Sequence, residues 1–261
     1  MKYIVLNLLL FIGISLNAQI TINFGDYPVI GDIHKYDSTN IGGLTAGAAG
    51  ANITWDFSNI SGNYNFSRNF IAPSASTYSA AFPGANMVIQ DAEAETFLDV
   101  NATKVEMLGI VMDIGLGAWT VVPFTNTLTS INFPTDYTDS FSDTYDFDIT
   151  VDGSSLGADS VNVTSTASVL STIDAYGKLI TPNDTVECLR EYVEHTSTTV
   201  VNAYVAILGS WTQIQSTTST DYSYTWVAMG HGSGVMEVTT NSLGNIETIK
   251  LKEVPNTVTN V

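Results

Sequence analysis

The chain has 261 residues, with 26 acidic side chains against 8 basic ones and a formal net charge of -18. Nucleic acid is predicted not to be a partner, because binding it depends on Lys and Arg neutralising phosphates, and an anionic membrane surface is disfavoured for the same reason. Hydrophobic residues make up 44% of the chain, which is enough for a packed core. Cys188 is the single cysteine, so no disulfide can form within the chain.

The first residues have the composition of a secretory signal peptide. Lys2 precedes an apolar run, Ile4–Leu16, and Ala18 stands where a small residue is expected before the cleavage site. The run is too short to span a bilayer comfortably. Residues 1–18 are therefore predicted to be removed, leaving no integral membrane segment. The mature protein is expected to be secreted or held at the cell surface, with the periplasm as the alternative.

From about residue 20 onward, apolar and polar residues alternate, and a helical period is nearly absent. The clearest stretch is Thr144–Asp152, in which Tyr145 and Phe147 share one face while acids and threonines occupy the other. This alternation is typical of an antiparallel strand with one solvated face. Similar strands are predicted at Ile53–Phe57, Tyr64–Ile71, Met87–Gln90, Thr96–Val100, Val105–Met112, Trp119–Phe124, Ser160–Thr166, Val186–Glu194, Tyr204–Trp211, Tyr222–Ala228, Val235–Thr239 and Ile246–Leu251.

Two segments depart from the alternation. Ile41–Ala51 is rich in Gly and Ala and is predicted to be a loop. Pro73–Phe82 is closed by Pro83-Gly84, and a short helix is predicted near residues 75–82. Residues 19–252 are predicted to form a single β-rich domain, followed by a tail at residues 253–261.

The fold class is predicted to be all-β, because no helical patterns separate the strands as a parallel βαβ architecture would require. A large antiparallel curved sheet or half-barrel would suit long runs such as Ser160–Ile173 and Tyr204–Thr218. A two-sheet β-sandwich, which would suit the shorter runs, is the alternative.

Residues with catalytic chemistry are sparse. The three histidines, His34, His195 and His231, are far apart in sequence and match no zinc-binding spacing, and no nucleophile motif is present. No catalytic residue is predicted. Gly230–Gly234 is interpreted as a turn before the strand at Val235, although its glycines would also let a backbone approach a ligand closely.

Acidic residues are concentrated in one part of the chain. Between residues 105 and 177 there is no Lys or Arg, while acids recur throughout. Uncompensated like charges repel, so a bound cation would relieve them, and calcium is the one candidate cofactor. A solvated acidic face is the alternative interpretation. The candidate calcium ligands are Asp139, Asp143, Asp146, Asp148 and Asp152.

Two further side-chain groups suggest carbohydrate chemistry. Asp146 and Asp148 would lie about 6.6 Å apart on one face of a strand, near the lower limit for an inverting glycosidase, but neither is expected to be desolvated. Tryptophans provide flat surfaces for stacking sugars, although most are expected to pack in the core. The candidate ligand-binding residues are Trp119, Trp211, Trp226 and His231.

Several segments together resemble a family of exported all-β proteins from Bacteroidetes-type bacteria. The family has no assigned activity, and its members usually continue into a C-terminal sorting domain for type IX secretion. No such domain is visible here. Either residues 253–261 are a truncated connection to one, or the protein follows a different final route. The segments that carry the resemblance are Gly50–Ser58, Phe70–Ser74, Phe82–Asn86, Phe133–Tyr137, Asp174–Pro182 and Cys188–Arg190.

Three functions are compatible with these observations. The first is a non-catalytic secreted or cell-surface adhesion module that binds a glycan or an extracellular protein. The second is a carrier that shelters an apolar ligand in the cavity of a curved sheet, lined by strands such as Val105–Met112. The third is a glycan hydrolase that uses two of the clustered carboxylates.

Overall fold

The computed structural model describes residues 20–40, 42–62, 64–115 and 117–253, so the predicted signal peptide and most of the predicted tail lie outside it. The described residues form thirteen strands and four 3-10 turns, at Phe24–Asp26, Pro73–Ala75, Ser79–Ala81 and Ser154–Leu156. The strands are β1 (Ile33–Thr39), β2 (Gly50–Asp56), β3 (Tyr64–Ile71), β4 (Met87–Gln90), β5 (Ala94–Val100), β6 (Lys104–Asp113), β7 (Trp119–Asn132), β8 (Ser140–Asp152), β9 (Ser160–Ile180), β10 (Thr185–Val205), β11 (Ser210–Val227), β12 (Met236–Thr240) and β13 (Ile246–Lys252).

The strands form one sheet that closes on itself. The order is β10-β11-β12-β13-β1-β3-β4-β5-β6-β7-β8-β9, and β9 then pairs with β10 to complete a closed barrel. The prediction of an all-β fold with a large curved antiparallel sheet is confirmed. The expectation that this sheet is open, as a half-barrel, is wrong, and so is the alternative of a sandwich. Closing the ring pairs the backbone groups that open edges would expose.

The strand β2 lies outside the ring, and its pairing with β9 is the only parallel pairing among the strands of the described residues. It runs beside the end of β9, with Trp55 opposite Leu179 and Asp56 opposite Ile180. Its inner side covers a core cluster that includes Trp226, Met236 and Leu251 from the barrel strands. The predicted loop before it is confirmed over residues 42–49, while Gly50 and Ala51 already belong to β2.

Alternation along the strands separates two layers of side chains. Arg190 is opposite Trp226, and both lie on the outer face, under β2. The next residues along, Glu191 and its partner Thr225, point to the other face, into the barrel, because successive side chains of a strand alternate.

Two local predictions differ from the structure. The short helix predicted near residues 75–82 is present only as two separate 3-10 turns, Pro73–Ala75 and Ser79–Ala81. Tyr204–Trp211 is not a strand, because the chain turns at residues 206–209 and joins β10 to β11 as a hairpin. In the described part of the chain, no helix combines the length and apolar composition needed to cross a bilayer.

Two places in the sheet have incomplete backbone pairing. Between β7 and β8 the backbone register consists of one residue pair, Asn126 opposite Asp146. Along β11, residues 210–221 pair with β10 on one side, while β12 begins its pairing only at Tyr222. Residues 210–220 contain no charged residue and no proline, and they are exposed.

Candidate functional site

A cavity of about 330 Å³ lies inside the barrel. Six adjacent strands of the ring, β7 to β12, contribute to its wall. The N-terminal segment, the loop after β7 and the loop before β12 complete it. Most of its surface is apolar, and its volume lies at the lower end of the range for small-molecule sites. The lining residues are Ile22, Tyr27, Ile131–Thr135, Asp139–Phe141, Ser171, Ile173, Glu191, Thr225, Val227, Gly232–Gly234 and Glu237.

Glu191 is an acidic residue of the cavity wall that has no basic partner among the described residues. It lies on β10 among inward-facing residues, and the Ser171 hydroxyl of β9 donates to its Oε1 at 2.5 Å. Among the described residues, none of the ion pairs involves Glu191. Burial raises the pKa of its carboxyl, and the nearby charge of Glu237 adds to this rise, while the bond from Ser171 opposes it.

Glu237, in contrast, is neutralised by Arg68. Two guanidinium nitrogens of Arg68 donate to Oε1 and Oε2 of Glu237 at 2.5 and 2.9 Å. The guanidinium also lies over the Tyr36 ring, 4.9 Å from its centroid. Burial disfavours the charge on Arg68, but Glu237 outweighs that effect and raises the pKa of the guanidinium above its usual value. This pair is therefore a fixed salt bridge in the barrel wall.

A hydroxyl and two rings continue this polar wall. The Ser233 Oγ lies 2.7 Å from His34 Nδ1 and 2.6 Å from the Tyr36 hydroxyl. Burial, together with the charge of Lys252, lowers the pKa of His34 to about 4, so the ring is neutral at neutral pH. Burial raises the pKa of Tyr36 to about 12, so its hydroxyl stays protonated. Ser233 is thus held between two uncharged groups at the edge of the cavity.

The predicted ligand-binding residues do not come together. Trp226 is fully buried in the core beneath β2, where no ligand can stack on it from solvent. Trp119 is 40% exposed and stacks on Tyr78, while Trp211 is 48% exposed and packs beside Tyr204 at the far end of the long hairpin. His231 lines a second depression next to the barrel wall, and Lys252 Nζ donates to its carbonyl oxygen.

The predicted calcium ligands are divided between the two faces of β8. Asp146, Asp148 and Asp152 share one face of the strand, whereas Asp143 lies on the opposite face. Asp139 precedes the strand. In the residues that the structure describes, no three His, Cys, Asp or Glu side chains form a metal-binding group. A calcium site at these positions stays a prediction.

Two of these acids instead bridge the sparsely paired β7 and β8. The Thr129 amide of β7 donates to Asp143 Oδ2 at 2.8 Å, and the Thr125 hydroxyl donates to the Asp146 carboxylate. Burial tends to raise the pKa of Asp143, but amide bonds from Thr129 and Thr144 lower it below the usual value. These carboxylates therefore replace backbone hydrogen bonds that the two strands do not make.

Of the site residues predicted from the sequence, Asp139 lines the cavity, but sequence reasoning missed the other lining residues. Gly230–Gly234 does form a turn, as predicted, with the His231 amide bonded to the Ala228 carbonyl, yet its Ser233 also faces the cavity. Glu191 and Arg68 carried a signal, because each is a charged residue between apolar neighbours two positions away on the same strand face. Charged residues at inward positions mark a polar site inside a barrel or an ion pair within it.

Comparisons with known proteins do not identify a function for this chain. No protein-family model matches the chain, and no curated protein matches it either. Among solved structures, the chain is similar to a protein of Bacteroides fragilis NCTC 9343 described as exported and as having a YmcC-like fold. The match has a TM-score of 0.32 and 8% sequence identity, and it covers 90% of this chain and 98% of that chain. The similarity is too low to support any inference about activity.

Proposed function

We propose that the protein is a non-catalytic carrier that holds a small amphipathic molecule inside its barrel. The observation that carries this proposal is the cavity of about 330 Å³, with an apolar wall and a few convergent polar groups. Such sites bind small molecules by burying their apolar surface and orienting them through a small number of hydrogen bonds. The signal-like composition of residues 1–18 supports a place of action outside the inner membrane.

A cavity-filling variant tests the proposal. Thr225 lines the cavity on β11, whereas Ser216 is an exposed residue further along the same strand. The mature chain, residues 19–261, is titrated with the neutral fluorescent probe N-phenyl-1-naphthylamine. We expect saturable binding that weakens at least tenfold in Thr225→Phe and is unchanged in the matched control Ser216→Phe. Absence of saturable binding to the unmodified protein, or equal binding by both variants, contradicts the proposal. Thermal unfolding establishes that both variants fold.

A second candidate function, binding of a glycan at the outer surface, is favoured by one group of aromatic side chains. Tyr192 of β10 and Tyr222 and Tyr224 of β11 lie on the outer face, with ring centroids 6.5 and 5.1 Å from that of Tyr192. Rows of hydroxyls continue along the same strands, including the pair Thr196 and Thr220 at 2.9 Å. Aromatic faces and adjacent hydroxyls are complementary to the apolar faces and hydroxyls of sugars.

A polysaccharide-depletion assay tests glycan binding and, in the same tubes, the alternative that the protein is a glycan hydrolase. The mature chain is mixed with insoluble polysaccharides, with and without calcium, and both unbound protein and new reducing ends are measured. Depletion that is lost in Tyr222→Ala would support a glycan-binding face. Reducing ends that disappear in Asp146→Asn or Asp148→Asn would support a hydrolase instead. If neither signal appears, the carrier is the candidate that stays.

A further inference from the structure

We propose that the cavity selects amphipathic molecules with a cationic amine head group, which Glu191 receives. This inference rests on the carrier function and specifies its ligand. It follows from the distribution of charge around the cavity.

The charged groups of the cavity wall are all acidic. Over the part of the chain that the structure describes, its lining contains Asp139, Glu191 and Glu237 and no Lys or Arg. Glu237 is already satisfied by the two-point salt bridge from Arg68, which approaches it from the wall. Asp139 accepts a hydrogen bond from the Asp136 amide in the loop that completes the cavity. Glu191 is the acid that faces the cavity from the barrel strands with a single neutral hydroxyl as its partner.

An occupant with a positive charge would correct this imbalance. An enclosed carboxylate without a counter-charge is unfavourable, because desolvation is not repaid by an ion pair. Charges also interact more strongly inside a barrel than in water, since the surrounding dielectric constant is low. An ammonium group beside Glu191 would supply the missing counter-ion and hydrogen-bond donors. A carboxylate or phosphate head group would instead be repelled by Glu191.

The basic residues near this region are not free to serve as that counter-ion. Arg68 is held by Glu237 and the Tyr36 ring, and Lys252 donates to the His231 carbonyl. Lys250 lies over the Phe66 ring, 5.4 Å from its centroid. The apolar surface contributed by Ile131, Ile173 and Val227 would contact the hydrocarbon part of the ligand. The wall thus combines an apolar lining with one strand-borne acid, Glu191, that is not already engaged by a basic group.

Three ten-carbon probes that differ only in head group test the inference. Decylamine, decanol and decanoate compete with N-phenyl-1-naphthylamine for the mature chain at neutral pH, below their micelle concentrations. We expect decylamine to bind at least tenfold more tightly than decanol, and decanoate to bind most weakly. In Glu191→Gln the advantage of decylamine over decanol should disappear while the affinity for decanol is kept. Glu194→Gln, three residues along on the opposite face of β10, is the matched control and should leave all three affinities unchanged.

The outcomes separate this inference from the carrier function. If decanol competes but decylamine is no tighter, or if its advantage survives in Glu191→Gln, the carrier stands and the amine selectivity is overturned. If none of the three probes competes, the carrier function fails and the inference fails with it. Should Glu191→Gln not fold, Glu191→Met and the ranking of the three probes on the unmodified protein decide the question.

Discussion

Arg190 and Asp174 form a two-point ion pair on the outer face of the barrel, in the space that β2 covers. The Arg190 Nε and Nη2 atoms donate to the two Asp174 carboxylate oxygens, both at 2.8 Å. The remaining nitrogen, Nη1, donates to the carbonyl oxygens of Ala46 and Gly47 in the loop before β2. The guanidinium also lies 4.8 Å from the centroid of the Tyr224 ring. One buried cation therefore connects the barrel strands to the loop that leads into β2.

Removing the carboxylate should leave this cation buried without a counter-charge. We expect Asp174→Ala to lower the free energy of unfolding by about 3 kcal/mol, because breaking a buried pair strands its partner. Denaturant titration measures the change. The matched control is Glu187→Ala, since Glu187 forms an exposed pair with Lys178 at 3.9 Å and should cost less than about 1 kcal/mol. Equal losses in the two variants would contradict the assigned role of Asp174.

The buried His34 should make the protein sensitive to mild acid. Burial lowers its folded-state pKa to about 4 from an ordinary value of 6.5. Between these values the unfolded chain binds a proton that the folded chain does not, so stability should fall as pH falls from about 6.5 to about 4. We expect this part of the pH dependence of the unfolding midpoint to be shallower in His34→Gln. A slope identical to that of the unmodified protein would refute the prediction, and His195→Gln is the control.

Gly177 should be irreplaceable because β2 approaches the backbone of β9 there. A Cβ added to Gly177 would lie 1.9 Å from the Ile53 carbonyl oxygen, at a φ of +156°. We expect Gly177→Ala to displace β2 and to cost about 3 kcal/mol, at the upper end of overpacking effects. Gly157 also has a positive φ, +74°, but no atom of the described residues lies within 4 Å of its added Cβ. Gly157→Ala should therefore report backbone strain alone, about 1 kcal/mol. Near-ultraviolet circular dichroism of the tryptophans will show whether β2 has moved.

Asp143 should control the junction between β7 and β8. Its Oδ2 accepts from the Thr129 amide, in a region where the backbones share one paired position. We expect Asp143→Ala to accelerate hydrogen exchange of the Thr129 amide and to cost about 1.5 kcal/mol, as for a hydrogen bond to a charged group. Asp148 accepts from the Asn162 side chain instead of from β7. Asp148→Ala should therefore leave Thr129 exchange unchanged, and faster exchange in both variants would argue against a specific role for Asp143.

Alternation in the sequence was sufficient to locate most strands. Tyr64–Ile71 and Met87–Gln90 were predicted with the boundaries that β3 and β4 have, because β-branched and aromatic residues there are bounded by polar or proline-containing segments. Alternation identifies the two faces of a strand but not its neighbours. For that reason neither the closure of the ring nor the parallel contact of β2 with the distant β9 could be derived from the pattern.

The candidate site was less accessible to sequence reasoning. The acid-rich segment has a high charge density that predicts a cation site, yet Asp143 and Asp146 contact β7. Glu191, in contrast, is an isolated acid whose importance depends on enclosure by strands far away in sequence. Enclosure is a property of the closed barrel, so it becomes visible only when the pairing of all the strands is known.

The one-sided pairing of β11 affects the self-association of the protein. Residues 210–220 offer an uncharged strand edge that a second copy could extend by backbone hydrogen bonding. The net charge of -18 opposes such an encounter at long range. Salt shortens the range of this repulsion to about 10 Å at 0.1 M and about 3 Å at 1 M, while backbone hydrogen bonds are screened far less. Self-association should therefore increase with ionic strength. The protein would be more monomeric at low salt and more associated at high salt.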